Sequence, residues 1–229
     1  MKKLFVFDFD GTLFNTLDQL VFNMNEALNF FDFPELTVDE YRNSVGGNVN
    51  QLISKVLGDN SNEENISKVK KKYLDIVKKT DDNLTLPYSG MAELLKELEE
   101  KGIALAINSN RFIHSIEFYL NKFMDDISFV DIQGHNPPNP SKPDAYGVNM
   151  ILKKTGFCRD EVLYVGDSFT DIRTADNSGV DCVIVNWGYS DYDVIKKEEN
   201  VRIISNPSEL LDYISWHVYV PIFFVSYHP

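Results

Sequence analysis

The stretch Lys3-Leu4-Phe5-Val6-Phe7-Asp8-Phe9-Asp10-Gly11-Thr12 decides the fold. Its apolar residues run straight into two carboxylates two positions apart, followed by a glycine and a threonine. A short Val/Phe-rich run bounded by a glycine turn suits an interior parallel strand. Open α/β sheets place ligands beyond the carboxyl ends of such strands, so Asp8 and Asp10 are expected at the mouth of a cleft. On extended backbone, residues i and i+2 point the same way, and the two carboxylates converge. Two like charges ~4 Å apart at an effective dielectric of about 20 cost about 4 kcal/mol. A shared proton, a basic side chain or a divalent cation must compensate.

Three further segments supply candidates for that compensation. Val162-Leu163-Tyr164-Val165 reads as a second buried strand ending in Gly166-Asp167-Ser168-Phe169-Thr170-Asp171, with carboxylates at the start of the next helix. Hard oxygen ligands in such numbers favour magnesium. A third strand, Ile103 to Ile107, is expected to stop at Asn108-Ser109-Asn110. Hydroxyl and amide groups there, with the freed N–H groups of a following helix, make an anion cradle. The fourth segment is Ser141-Lys142-Pro143-Asp144, where Pro143 is placed to open a helix and Lys142 offers a point positive charge. Each piece alone has an ordinary reading as a turn, a helix cap or surface charge. Their ordered occurrence at strand ends favours one shared site for acids, cation and anion.

In this chain order the four segments resemble the motifs of the haloacid dehalogenase superfamily, and most of all its phosphoglycolate phosphatase-like members. The resemblance runs from Asp8 to Asp171 and implies a three-layer, Rossmann-like α/β core with a parallel sheet. It implies Asp8 as the nucleophile that becomes an aspartyl phosphate, and Asp10 as the general acid that later activates water. Ser109 and Lys142 match the groups that bind the transferring phosphoryl oxygens. Asp167 matches the magnesium ligand, joined by the Asp8 carboxylate and the Asp10 backbone carbonyl. Asp171 is expected to support the metal through water or a hydrogen bond. Thr12 and Asn110 belong with the substrate-binding side of the same cleft.

The chain has 229 residues, ordinary apolar and charged content, and a formal net charge of −13. Such a charge repels polyanions, which weighs against nucleic acid or an anionic membrane as partner and leaves small phosphorylated metabolites open. Cys158 and Cys182 lack metal-ligand spacing and suit reduced packing residues of a cytoplasmic chain. The short apolar start is interrupted by Asp8 and Asp10, unlike a signal peptide.

From about Asn15 to Pro87 strand signals are weak. Leu17, Leu20, Val21, Met24, Leu28 and Phe31 recur at helical spacing, and Thr37 with Glu40 forms a capping-box pattern. Gly46-Gly47 is expected to stop that second helix, and a third resumes from Asn50 to Leu57. A fourth carries Ile66, Val69, Tyr73, Ile76 and Val77 behind a Ser61/Glu64 cap. The resemblance implies that residues 15–87 form an inserted α-helical cap over a core made of residues 1–14 and 88–215. From Met91 onward helices and strands alternate, as a parallel sheet covered on both faces requires.

Gly47 and Gln51, at the break between cap helices, are candidates for reaching the substrate, and Arg111 for clamping a second anionic group with its planar fork. Trp187-Gly188 follows a strand and is a candidate for the cleft wall, although packing is the commoner role of such a tryptophan. The apolar tail, residues 216–229, is too short for a comfortable membrane span and suits an added edge strand or a dimer contact; monomer and homodimer stay open. The leading function is a magnesium-dependent phosphatase acting on a small phosphomonoester. A phosphomutase of the β-phosphoglucomutase type and a non-catalytic phosphate-binding module are the alternatives. Dehalogenases of the superfamily lack the acid found here at Asp10.

Overall fold

The first strand expected from the sequence, β1 (Leu4–Phe7), is fully buried and lies inside a six-stranded sheet. The computed structural model describes residues 1–42, 44–45, 48–80, 83–197 and 201–214. After β1 the chain makes a tight turn into a two-residue strand, β2 (Phe14–Asn15). Four helices follow: α1 (Leu17–Asn29), α2 (Val38–Arg42), α3 (Val49–Leu57) and α4 (Glu63–Lys79). The chain returns through β3 (Leu86–Pro87), which pairs antiparallel with β2, so both connections to the helical insert form one small ribbon. Then come α5 (Met91–Glu100), β4 (Ala104–Phe112), α6 (Ile113–Phe123), β5 (Phe129–His135), α7 (Tyr146–Thr155) and β6 (Val162–Gly166). The remainder is α8 (Phe169–Ser178), β7 (Asp181–Val185), α9 (Tyr192–Ile195), β8 (Arg202–Ile204) and a 3₁₀ turn over Pro207–Tyr213.

The sheet order is β5-β4-β1-β6-β7-β8, with every pair parallel. The chain winds outward from β1 through β4 and β5, then starts again at β6 and winds the other way. The reversal falls between β1 and β6, where open α/β sheets leave a crevice at their carboxyl ends. Alternation along β1 explains the three layers: Phe5 and Phe7 join a cluster with Leu94, Leu98, Ile116 and Leu120, while Leu4 and Val6 pack with Val148, Ile151 and Ala175. The helical insert has an apolar cluster of its own, including Leu17, Val21, Met24, Leu28, Tyr41, Ile53 and Val69.

Several local expectations are corrected. β4 does not stop at Ile107; it runs through Asn108-Ser109-Asn110 because β5 continues beside it, pairing Asn108 with Gln133 and Phe112 with His135. The cap of α4 is Asn62, whose side chain accepts the Asn65 N–H at 2.9 Å, while Ser61 Oγ is taken up by Ser54 Oγ at 2.7 Å. Pro143 does not open α7: the Lys142-Pro143 peptide is cis, and the helix starts at Tyr146, whose N–H is held by Asp144 Oδ1 at 2.8 Å. Both cysteines are free, but Cys158 is exposed and only Cys182 packs. The Thr37/Glu40 capping box is present, with Glu40 Oε2 accepting from Thr37 N and Oγ1 at 2.7 and 2.8 Å. Gly46, Gly47 and the tail 216–229 lie outside the described residues. Among the described residues no helix is long and apolar enough to cross a membrane.

Candidate active site

Strand register brings the sequence motifs together. Phe7 lies level with Ile107 on one side and Val165 on the other, so the residues that come next along β1, β4 and β6 lie side by side. Asp8, Ser109 and Asp167 are all buried at that edge, only 4–7% exposed. Lys142 comes from the loop between β5 and α7 and is as deeply placed. Its ammonium lies 2.8 Å from Asp8 Oδ1 and 2.7 Å from Asp171 Oδ1. Burial alone would lower the Lys142 pKa, but Asp171 and Asp8 outweigh it and hold the value well above the ordinary lysine range.

Lys142 is set by Asn110. The Asn110 amide brackets the Lys142 backbone, accepting its N–H at 2.8 Å and donating to its carbonyl at 3.1 Å. Asn110 therefore acts on the lysine loop, a role its place in an anion cradle did not suggest. Ser109 Oγ accepts the Arg111 N–H at 3.3 Å.

Asp171 is fully buried and fully employed. Its Oδ2 accepts from Ser168 Oγ, Ser168 N and Asp167 N at 2.6, 3.1 and 3.2 Å, while Oδ1 takes Lys142. A Cβ at Gly166 would come within 2.3 Å of Asp171, so glycine is required for that approach. Asp167 occupies a slot between two more glycines. A Cβ on either Gly11 or Gly188 would meet its Oδ2 at 2.4 Å, and Tyr189 N–H fixes the same oxygen at 2.8 Å. Gly11 also needs its positive φ of 79° to make the turn after Asp10.

Ligand atoms of Asp8, Asp167 and Asp171 all lie within 4.8 Å of one another. Three buried carboxylates facing one ammonium carry two units of negative charge that Lys142 does not offset. Burial, then the repulsion of Asp171 and Asp8, pushes Asp167 well above the usual carboxylate range. Asp8 is pushed up to about 7, by burial against the opposing pull of Lys142 and with Asp171 and Asp10 adding to the rise. Oxygen donors, burial and this charge excess all fit a divalent cation, which would let the acids ionise together.

The two acids of the first motif each have a cation. Asp10 Oδ1 is paired with Arg111 Nη1 at 2.7 Å. The same guanidinium donates from Nε to Ser115 Oγ at 2.8 Å and lies over the rings of Phe9 and Tyr119. Arg111 thus sits at the site, engaged by a site carboxylate. Thr12 is buried, with its Oγ1 unpartnered among the described residues and its carbonyl accepting the Trp187 indole N–H at 3.1 Å. Trp187 packs on the core, as read from its sequence. Gln51 caps α3 together with Asn48, its Oε1 accepting the Asn48 N–H at 2.9 Å. Tyr189 and Tyr164, whose hydroxyl donates to the Asn108 carbonyl at 3.0 Å, were not singled out from sequence for this site. Gly188 after a strand was the available signal; nothing local marks the two tyrosines.

Residues 5–185 match the family model of the haloacid dehalogenase-like hydrolases, and the chain belongs to that family, on its phosphoglycolate phosphatase-like side. A phosphoglycolate phosphatase of Pasteurella multocida (strain Pm70) is 30% identical over 82% of this chain and 87% of its own length. One from Vibrio vulnificus (strain CMCP6) is 28% identical over 93% and 96%. Among solved structures, a Lactobacillus delbrueckii subsp. bulgaricus protein assigned provisionally to the phosphoglycolate phosphatases superposes with a TM-score of 0.87 at 25% identity, covering 93% of this chain and 99% of that one.

Proposed function

We propose that this chain hydrolyses a small phosphomonoester of the phosphoglycolate type in two steps, with magnesium as its cation. The observation that carries the reading is the buried cluster of Asp8, Asp167, Asp171 and Lys142 at the carboxyl ends of β1 and β6. The relatives' names support the substrate class.

Among the described residues both hydrogen bonds to Asp8, from Lys142 Nζ and the Phe9 N–H, fall on Oδ1. Oδ2 is left to attack phosphorus. As the new O–P bond forms and the ester P–O bond breaks, Asp10 gives its proton to the departing alkoxide. Asp10 then takes a proton from water, whose oxygen attacks the aspartyl phosphate, releasing phosphate and regenerating Asp8. Lys142 and Ser109 hold the phosphoryl oxygens, with Lys142 kept in place by Asn110 and Asp171. Magnesium held by Asp8, Asp167 and the Asp10 carbonyl, with Asp171 behind them, would supply charge neutralisation for two approaching anions. The helical insert acts as the cap, excluding water and carrying Gln51 as its contact to the leaving group, while Thr12 and Arg111 line the substrate side.

A panel of phosphorylated metabolites assayed for magnesium-dependent phosphate release, ranked by kcat/KM, tests this reading. Phosphoglycolate and similar small acids should lead the ranking. A protein that releases phosphate from none of them would overturn it.

A further inference from the structure

Tyr189 touches two places that the proposed reaction treats separately. Its backbone N–H donates to Asp167 Oδ2 at 2.8 Å. Its side chain runs the other way, to the ribbon that carries the helical insert. There the hydroxyl accepts the Thr16 N–H at 2.5 Å and shares a second hydrogen bond with Thr16 Oγ1 at 3.1 Å. Thr16 is the N-cap residue of α1, the first residue past β2. The ring packs against the apolar cluster of the insert. The same hydroxyl also lies 3.4 Å from the carbonyl of Phe14 in β2, while on the second connection Tyr88, the residue after β3, is close enough for the two phenols to influence each other.

The Asp167 end of this link has little slack. Gly11 and Gly188 close on the carboxylate so tightly that neither position has room for a Cβ, and that Gly11 Cβ would also stand 3.1 Å from the Tyr189 ring. A shift of the ribbon that drags the Tyr189 hydroxyl must move a backbone whose N–H orients Asp167. Carboxylates that ligate metals depend on such outer hydrogen bonds for their orientation, and coupling of this kind is reciprocal.

We infer that Tyr189 is a positioning residue that couples the placement of the helical insert to the metal-binding carboxylate Asp167. The inference rests on the proposed metal role of Asp167. Seating the insert aligns Asp167 for the cation, and cation binding in turn steadies the β2/β3 ribbon. Neither function needs a side chain at Tyr189 to touch substrate.

Tyr189→Phe keeps the ring and the backbone N–H and removes only the hydroxyl. Mn²⁺ serves as the probe, with binding read by electron paramagnetic resonance and ribbon motion by hydrogen exchange of peptides spanning residues 14–20 and 84–90. In the wild-type protein Mn²⁺ binds and slows exchange at both peptides. In Tyr189→Phe, Mn²⁺ binds at least about fivefold more weakly and exchange at the ribbon no longer responds to saturating metal. Far-UV circular dichroism and the melting temperature show whether the variant is folded; a purely structural tyrosine would lower the melting temperature and leave the exchange response to metal intact. Equal Mn²⁺ affinity and an unchanged exchange response in a folded Tyr189→Phe would overturn the coupling. Failure of the metal reading itself shows elsewhere, as Mn²⁺ binding that is absent in the wild type or unaltered by Asp167→Asn.

Discussion

Replacing Asp8 by asparagine should stabilise the metal-free protein while abolishing its chemistry. Asparagine keeps the shape and an acceptor for Lys142, and deletes one charge from a buried cluster with too many. With the folded-state pKa of Asp8 raised from 3.8 to about 7, the sign is fixed. Below 3.8 the carboxyl is protonated in folded and unfolded chains alike and costs nothing. Between 3.8 and about 7 the unfolded chain releases the proton and the folded one retains it, so stability falls by about 1.4 kcal/mol per pH unit. Above 7 the loss levels off, at about 4 kcal/mol if no other group relaxes. For a chain of this length that corresponds to a melting temperature up to about 10 °C higher for Asp8→Asn at pH 8. Scanning calorimetry in a chelator measures it, at pH 4.5 and pH 8. The gap should be small at the lower pH, large at the higher, and narrowed by magnesium added to the wild type. A variant no more stable than wild type at pH 8, or a gap independent of pH, would refute the assignment of an electrostatic cost to this cluster.

Other substitutions probe other parts of the site. Lys142→Ala leaves Asp8 and Asp171 without their shared cation and should cost about 3–5 kcal/mol by urea denaturation at pH 8, together with activity; a loss near zero would mean the ammonium is not held as described. Gly188→Ala drives a methyl group to 2.4 Å from Asp167 Oδ2. It should destabilise by about 1–3 kcal/mol and weaken magnesium binding measured by calorimetry, whereas unchanged affinity would show that Asp167 is not confined by that glycine. Arg111→Ala should lower kcat/KM more for esters carrying a carboxylate than for a neutral aryl phosphate. An equal fall for both would assign Arg111 to Asp10 alone.

Much of this was legible in the sequence because period and punctuation fix local structure. Leu4 to Phe7 could be read as a buried strand since its apolar run is short and stops at carboxylates and a glycine turn. Once β1, β4 and β6 are parallel neighbours, register alone carries Asp8, Ser109 and Asp167 to one edge. The pairing of Asp10 with Arg111 was not legible, because it depends on how β4 continues past Ile107, and that continuation is set by β5 beside it. Asn110 was read as an anion ligand when its amide brackets Lys142, 32 residues away. The slot around Asp167 needs Gly11 and Gly188 to meet across the sheet edge; each glycine follows a strand, but their meeting is a tertiary fact. Pro143 misled because proline at a helix start and proline in a turn before one share the same composition.

The central claim, that Asp8 carries the phosphoryl group in transit, is tested most directly by rapid acid quench of the protein turning over a radiolabelled phosphate ester with magnesium. Label should appear on the peptide containing Asp8, accumulate and decay at rates compatible with turnover, and vanish in Asp8→Asn. Full turnover with no label on protein at any time, or label on a different residue, would contradict it.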